Sequence, residues 1–210
     1  MIVCLEGPSG VGRTSLGLTL ARTGGASLIE EIAGAPPAGV APEAWFVPLH
    51  VERWRRAVRL AGAARFAVLD GDPLKALWYG RVFAPDSVAG AAELYASAMA
   101  RGELGLPDLY VALDADEAGL RARRAGDAAR TRRNFDRHLA LVGPLRRWFT
   151  ELALAMPGRV VRPDADDRDA TARQVLDALA RPSPPPVDAP AVLRRMTDWL
   201  ARQEARSALT

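Results

Sequence analysis

The sequence holds one cysteine, one lysine and two histidines in 210 residues. A lone cysteine, Cys4, excludes an internal disulfide, and no Cys/His cluster exists to hold zinc. No apolar run reaches the roughly 18 residues that a membrane-spanning helix requires. The first apolar strand starts at residue 2, leaving no room for a cleaved leader, so the expectation is a soluble, cytoplasmic chain with no membrane partner. Aromatics are sparse, at 6%, and do not interleave with a basic stripe, which argues against nucleic acid as a partner. Arginine is plentiful: every one of the 28 basic residues except Lys75 is an arginine, although the net charge is only +3. Arginine suits phosphate recognition, and a biased base composition, visible also in the Ala, Gly and Pro content, explains the same excess. Hydrophobic residues at 49% supply one α/β-sized core.

Apolar runs and helical patterns alternate along the chain, which predicts an α/β fold with a doubly wound parallel sheet covered on both faces. Strands are expected at Ile2–Leu5, Ser27–Ile29, Phe66–Leu69, Leu109–Leu113 and Arg159–Val161. Helices are expected over Thr14–Arg22, a stretch broken or bent near Pro48 and strongest over Val51–Ala61, Ser87–Met99, Asp116–Arg124 and Ala170–Leu179. Phe135, Leu139, Val142, Trp148, Phe149 and Leu152 fall at helical spacing, interrupted at Gly143-Pro144. These elements make one domain over residues 1–180. Arg181-Pro182-Ser183-Pro184-Pro185-Pro186 reads as a stiff linker over 181–190. Beyond it, in 191–210, Val192, Leu193, Met196, Trp199 and Leu200 form an apolar stripe on an amphipathic helix. That stripe needs cover, from the same domain or from a homodimer partner.

The most specific motif is Gly7-Pro8-Ser9-Gly10-Val11-Gly12-Arg13-Thr14-Ser15. It follows an apolar strand and opens a helix, the context a phosphate-binding P-loop requires. Glycines 7, 10 and 12 let backbone amides converge on a phosphate at the helix N-terminus, where Val11 and Ser9 complete the loop. Thr14 stands where a hydroxyl completes the shell of Mg²⁺, and Ser15 is a neighbouring phosphate donor. Arg13 occupies the usual lysine position, keeping the charge but replacing a slim ammonium with a planar fork.

On this loop, on Glu30 and Glu31 after the second strand, on Asp70 after the third, and on the Arg121 to Arg133 stretch, the chain resembles the P-loop nucleoside and nucleotide kinases of the thymidylate kinase and deoxynucleoside kinase branch. The resemblance spans about residues 1 to 180. It implies a five-stranded parallel core, ATP as donor, and an arginine-rich lid after the fourth strand. It also implies that Glu30 or Glu31 is the base for an acceptor hydroxyl, although the pair reads equally as solvated charge at a loop start. Gly71 departs from the pattern, since those families place an arginine there; Arg81 is a candidate replacement.

Asp70 and Asp72 close the third strand on the ligand-binding edge. Asp70 suits the metal shell, and Asp72 suits substrate binding or base duty. The lid holds six arginines in the thirteen residues from 121 to 133; they repel one another unless an anion gathers them. Arg121, Arg124 and Arg132 are the expected phosphate contacts, with a plain solvated helix face as the alternative. Trp45, Trp78 and Tyr79 are candidates to stack on an acceptor ring, or core residues. The expectation is ATP- and Mg²⁺-dependent phosphoryl transfer to a small-molecule acceptor, a nucleoside or nucleoside monophosphate first. A phosphotransferase acting on an antibiotic or other secondary metabolite, and a catalytically silent nucleotide-binding protein marked by Arg13, are the alternatives.

Overall fold

A computed structural model of the chain describes residues 1–126, 135–163 and 167–207, with side chains described to residue 203. Five strands run β1 (Ile2–Glu6), β2 (Ala26–Ile29), β3 (Phe66–Asp70), β4 (Leu109–Ala112) and β5 (Val160–Val161). All pair in parallel, in the order β2-β3-β1-β4-β5. β1 and β3 are buried along their whole length, as near-continuous apolar runs in a doubly covered sheet must be. Alternation sends Cys4 to one face of β1 and Val3 and Leu5 to the other, into separate core clusters.

The helices are α1 (Arg13–Gly24), α2 (Pro42–Ala63), α3 (Lys75–Phe83), α4 (Val88–Ala100), α5 (Glu117–Ala125), α6 (Phe135–Leu139), α7 (Val142–Ala155), α8 (Arg168–Ala180) and α9 (Ala189–Ser207). α2 does not break at Pro48. The ring is exposed, so the carbonyl it leaves unbonded meets water. The break between α6 and α7 falls just ahead of Gly143-Pro144. Pro144 instead sits in the first turn of α7, where its missing N–H has no partner to lose. α3 has no counterpart among the helices expected from sequence.

α9 covers its stripe with its own chain. Val192, Leu193, Met196 and Leu200 are buried in the core that Trp148 and Tyr95 share, and the Trp148 and Trp199 rings meet edge-on at 6.3 Å. Arg159 fixes the proline segment by donating to the carbonyls of Pro184 (3.0 Å) and Pro185 (2.8 Å). No helix among the described residues is long and apolar enough to cross a membrane.

Candidate active site

The C-terminal ends of β1, β2 and β3 bring together the loop after each strand, the edge where doubly wound sheets bind ligands. After β1 the chain curls through Gly10 (φ +94°) and Gly12 (φ +105°), conformations that a side chain would strain. A Cβ on Gly7 would stand 2.6 Å from the Leu113 carbonyl oxygen, so the loop packs against the end of β4 only as glycine. Val11 anchors the loop in the core. α1 opens with no side chain capping its N-terminus, which leaves its first amides for an anion. Ser15 and Gly12 line a small cavity with Arg168. The glycine turns after β1 and the start of α1 thus lie within the expected residues 7–15.

Arg13 departs from expectation. Its guanidinium turns back toward the sheet instead of over the loop. Nη1 donates to Glu6 Oε1 and Nη2 to Glu31 Oε2, both at 2.6 Å, while Nε stands 3.6 Å from Asp70 Oδ1. Burial opposes the charge on Arg13, but the three carboxylates outweigh it and hold its pKa above the ordinary arginine range. Two hydrogen bonds in a fixed fork suit arginine to bridging two carboxylates.

Glu6 was not singled out in the sequence. It is 1% exposed and receives Arg13, the Gly7 N–H (2.8 Å) and the Asp72 N–H (3.0 Å). It therefore ties the phosphate loop to the turn after β3. Its signal was a carboxylate ending a wholly apolar run just before the glycines. Lys75, the first residue of α3, was also missed as a site residue. Its ammonium pairs with Glu31 Oε1 and stands 3.9 Å from Glu6 Oε2.

The two adjacent glutamates, in the loop that follows β2, point apart. Glu31 turns into the site, whereas Glu30 is exposed and contributes only its carbonyl, which accepts from Arg53 at 2.9 Å. Burial raises the Glu31 carboxyl, but Arg13 and Lys75 outweigh burial and hold it well below the usual range. Thr14 Oγ1 donates to Asp70 Oδ2 at 2.7 Å. Asp70 Oδ1 is buried and has no hydrogen-bond partner among the described residues. Burial raises the Asp70 carboxyl, with Arg13 and Thr14 opposing.

Asp72 does not face the site. It is wholly buried, with Oδ1 receiving the Leu74 N–H (2.9 Å) and Oδ2 the indole N–H groups of Trp78 (3.0 Å) and Trp148 (3.1 Å). A base or substrate contact needs an open lone pair, and these donors cover both oxygens. Trp78 is likewise core, committed to Asp72. Gly71 adopts φ +106°, which an arginine would strain, and the Arg13 and Glu31 side chains lie against it.

Beside this cluster opens a cavity of about 270 Å³, lined in part by Glu31, Phe46, His50, Arg53, Lys75 and Tyr79. Tyr79 is thus the one stacking candidate on its wall; Trp45 packs edge-on to Phe46, and neither Trp45 nor Arg81 is among the lining residues. Arg53 spends its guanidinium on backbone carbonyls, reaching Asp70 O at 2.6 Å. Burial and the neighbouring Arg53 and Lys75 charges push the His50 imidazole well below its ordinary range, so it is neutral.

On the lid side, Arg121 and Arg124 pair with Asp136 at 3.1 and 3.0 Å rather than turning to the loop. Arg123, between them, reaches the Val11 carbonyl at 3.4 Å. Arg132 lies outside the described residues.

No protein-family model matches the sequence, and no curated protein matches it. Solved structures do match. Deoxyadenosine kinase from M. mycoides, with bound dATP, superposes with a TM-score of 0.61 at 12% identity, over 86% of this chain and all of that one. The same enzyme with the product dCMP and a flexible dCDP gives 0.58 at 12%, over 85% and 98%. Thymidylate kinase from Ehrlichia chaffeensis gives 0.56 at 15% identity, over 86% and 98%. The chain therefore has the fold of the P-loop nucleoside and nucleotide kinases.

Proposed function

We propose that the protein is a small-molecule kinase that moves the γ-phosphoryl group of ATP to a hydroxyl of a nucleoside. The observation that carries this reading is the continuity between cradle and cavity. Arg13 begins the helix whose N-terminus would hold the donor phosphates, and it pairs with Glu31 on the cavity wall. Donor and acceptor carboxylate are thereby held in one register. A volume of about 270 Å³ lies near the lower end of small-ligand pockets, roughly 300–1,000 Å³. A neutral acceptor fits better than a monophosphate. Of the two lining cations, Arg53 is committed to carbonyls and Lys75 is paired with the carboxylate that receives the acceptor, so neither is placed to hold a second phosphate. That solved relatives in fold hold dATP, and dCMP with dCDP, supports a nucleoside as acceptor.

In this reading Glu31 takes the acceptor's proton as the new O–P bond forms and ADP leaves. Phosphoryl transfer asks the protein mainly for positioning and charge neutralisation. The Thr14 hydroxyl and Asp70 Oδ1, which accepts no hydrogen bond among the described residues, form a hard-oxygen pair that fits Mg²⁺, an ion that keeps waters and takes one or two protein oxygens. Held by Thr14 and Asp70, Mg²⁺ would supply charge neutralisation to the donor phosphates.

The test is ADP release with MgATP across deoxynucleosides, their monophosphates and hydroxylated antibiotics. Release that depends on a deoxynucleoside supports the reading. Saturable ATP binding with no acceptor-dependent release would sink it, and would favour a protein that uses ATP only as a ligand.

A further inference from the structure

The lysine that a P-loop usually sends to the β- and γ-phosphates is absent, and its replacement is not free to go. Arg13 is 12% exposed and bridges two carboxylates, Glu6 at the end of β1 and Glu31 in the loop after β2. The only lysine of the chain stands on the other side of the same two carboxylates, 20% exposed. We propose that Lys75 is the mobile cation of this site: an acceptor hydroxyl displaces its ammonium from Glu31, and the released ammonium neutralises the transferring phosphoryl group from the acceptor side. The inference rests on the kinase reading above.

Glu31 has both oxygens covered, Oε2 by Arg13 and Oε1 by Lys75. Glu31 and Lys75 line the cavity and Arg13 does not, so an incoming hydroxyl meets the Lys75 side of the carboxylate. Arginine's fork is rigid and holds two partners; a lysine ammonium is a point charge on a flexible stem and gives up one partner readily. Once displaced, the ammonium stays in the cavity, because the Trp78 and Tyr79 rings lie 5.5 and 5.8 Å from it. It also remains near the donor side, since Glu6, 3.9 Å away, directly bonds the first amide of the phosphate loop.

The exchange serves the chemistry. With two cations on it, Glu31 is a weak base; with one removed it is a stronger one at the moment a hydroxyl arrives. The hydroxyl proton passes to Glu31 Oε1, the acceptor oxygen bonds phosphorus, and the bond to the departing ADP oxygen breaks. Lys75 keeps its proton throughout. The other charged or titratable groups facing this carboxylate are Arg13 from α1, His50 and Arg53 from α2, His138 from α6, and Glu6 and Asp70 from the sheet.

A single lysine makes the test direct. Reductive methylation with ¹³C-formaldehyde labels Lys75 and the α-amino group, and titration tells the two resonances apart. A deoxynucleoside that supports ADP release is expected to shift the Lys75 resonance, whereas MgATP alone is not. Lys75→Met is expected to lower kcat about 100-fold or more, the scale of losing one charge-stabilising donor. Its acceptor KM should change less than about threefold and the acid limb of its pH profile should move upward, with Lys75→Arg restoring part of kcat. An unmoved Lys75 resonance, or a Lys75→Met kcat within threefold of wild type while wild type turns over, overturns the inference and leaves the kinase reading standing. Absence of acceptor-dependent ADP release from wild type overturns both.

Discussion

Both histidines of the chain line the cavity of about 270 Å³, and both are held below their ordinary pKa by burial first and by Lys75 among the nearby charges. In the unfolded chain each protonates near pH 6.5, while in the folded chain each resists. Between those points the unfolded state binds more protons, so stability is full above about pH 6.5 and declines as pH falls below it. Urea midpoints at pH 7.5 and pH 5 should show that decline in wild type and a flatter response in a His50→Gln/His138→Gln variant. Arg13 yields a sharper result. If it served donor phosphates alone, losing it would leave the ligand-free protein intact. Because it neutralises Glu6, which is 1% exposed, Arg13→Met should cost the ligand-free protein about 3–5 kcal/mol in chemical denaturation. Glu31→Gln should instead lower kcat by about 10²–10⁴ while leaving ATP affinity within threefold. The sequence marked Arg13 and Glu31 as site residues. It could not show which way the guanidinium turns, because that depends on Glu6 and Asp70 arriving from other strands.

At the scale of an element, the turn between β3 and α3 carries the largest difference between expectation and structure. Asp70-Gly71-Asp72-Pro73 reads as two carboxylates on a ligand-binding edge, and Asp70 does face Thr14. Asp72, two residues on, plunges inward as a hub for two indoles contributed by α3 and α7. Burial pushes its carboxyl up to about 6. A carboxyl raised in the folded state costs stability as pH rises through that value, so the hub stays only because its donors are satisfied. Asp72→Asn turns an amide N–H₂ toward at least one of those N–H groups and should lower stability by about 1–3 kcal/mol, read as a fall in Tm. Nothing in the sequence spacing pairs Asp72 with Trp148, 76 residues away. The lid is a parallel case: Arg121 and Arg124 were legible as arginines on one helix, but Asp136 claims them and leaves Arg123 at the loop.

For the whole molecule, the alternation of short apolar runs such as β1 and β3 with helical patterns, together with the glycine turn after β1, made the parallel sheet readable, and the solved kinases share its fold. What stayed hidden was closure. The helix beyond the proline segment packs against α3, α4 and α7 with its apolar stripe inside the core. Met196→Ala should cost about 2–5 kcal/mol, the range for emptying a buried site, and should shift the urea midpoint without changing the oligomer size seen by light scattering. A dimer that dissociates in this variant would mean the stripe is shared with a second copy.

The core face around Cys4 is completed by Leu200. A ribosome adding about 5–20 residues each second needs roughly 10–40 s to travel between them. Earlier helices cover this face as they emerge, but until α9 follows, the groove it fills against α3, α4 and α7 presents apolar surface to the surroundings. Emergence of α9 is therefore the step at which that apolar surface closes.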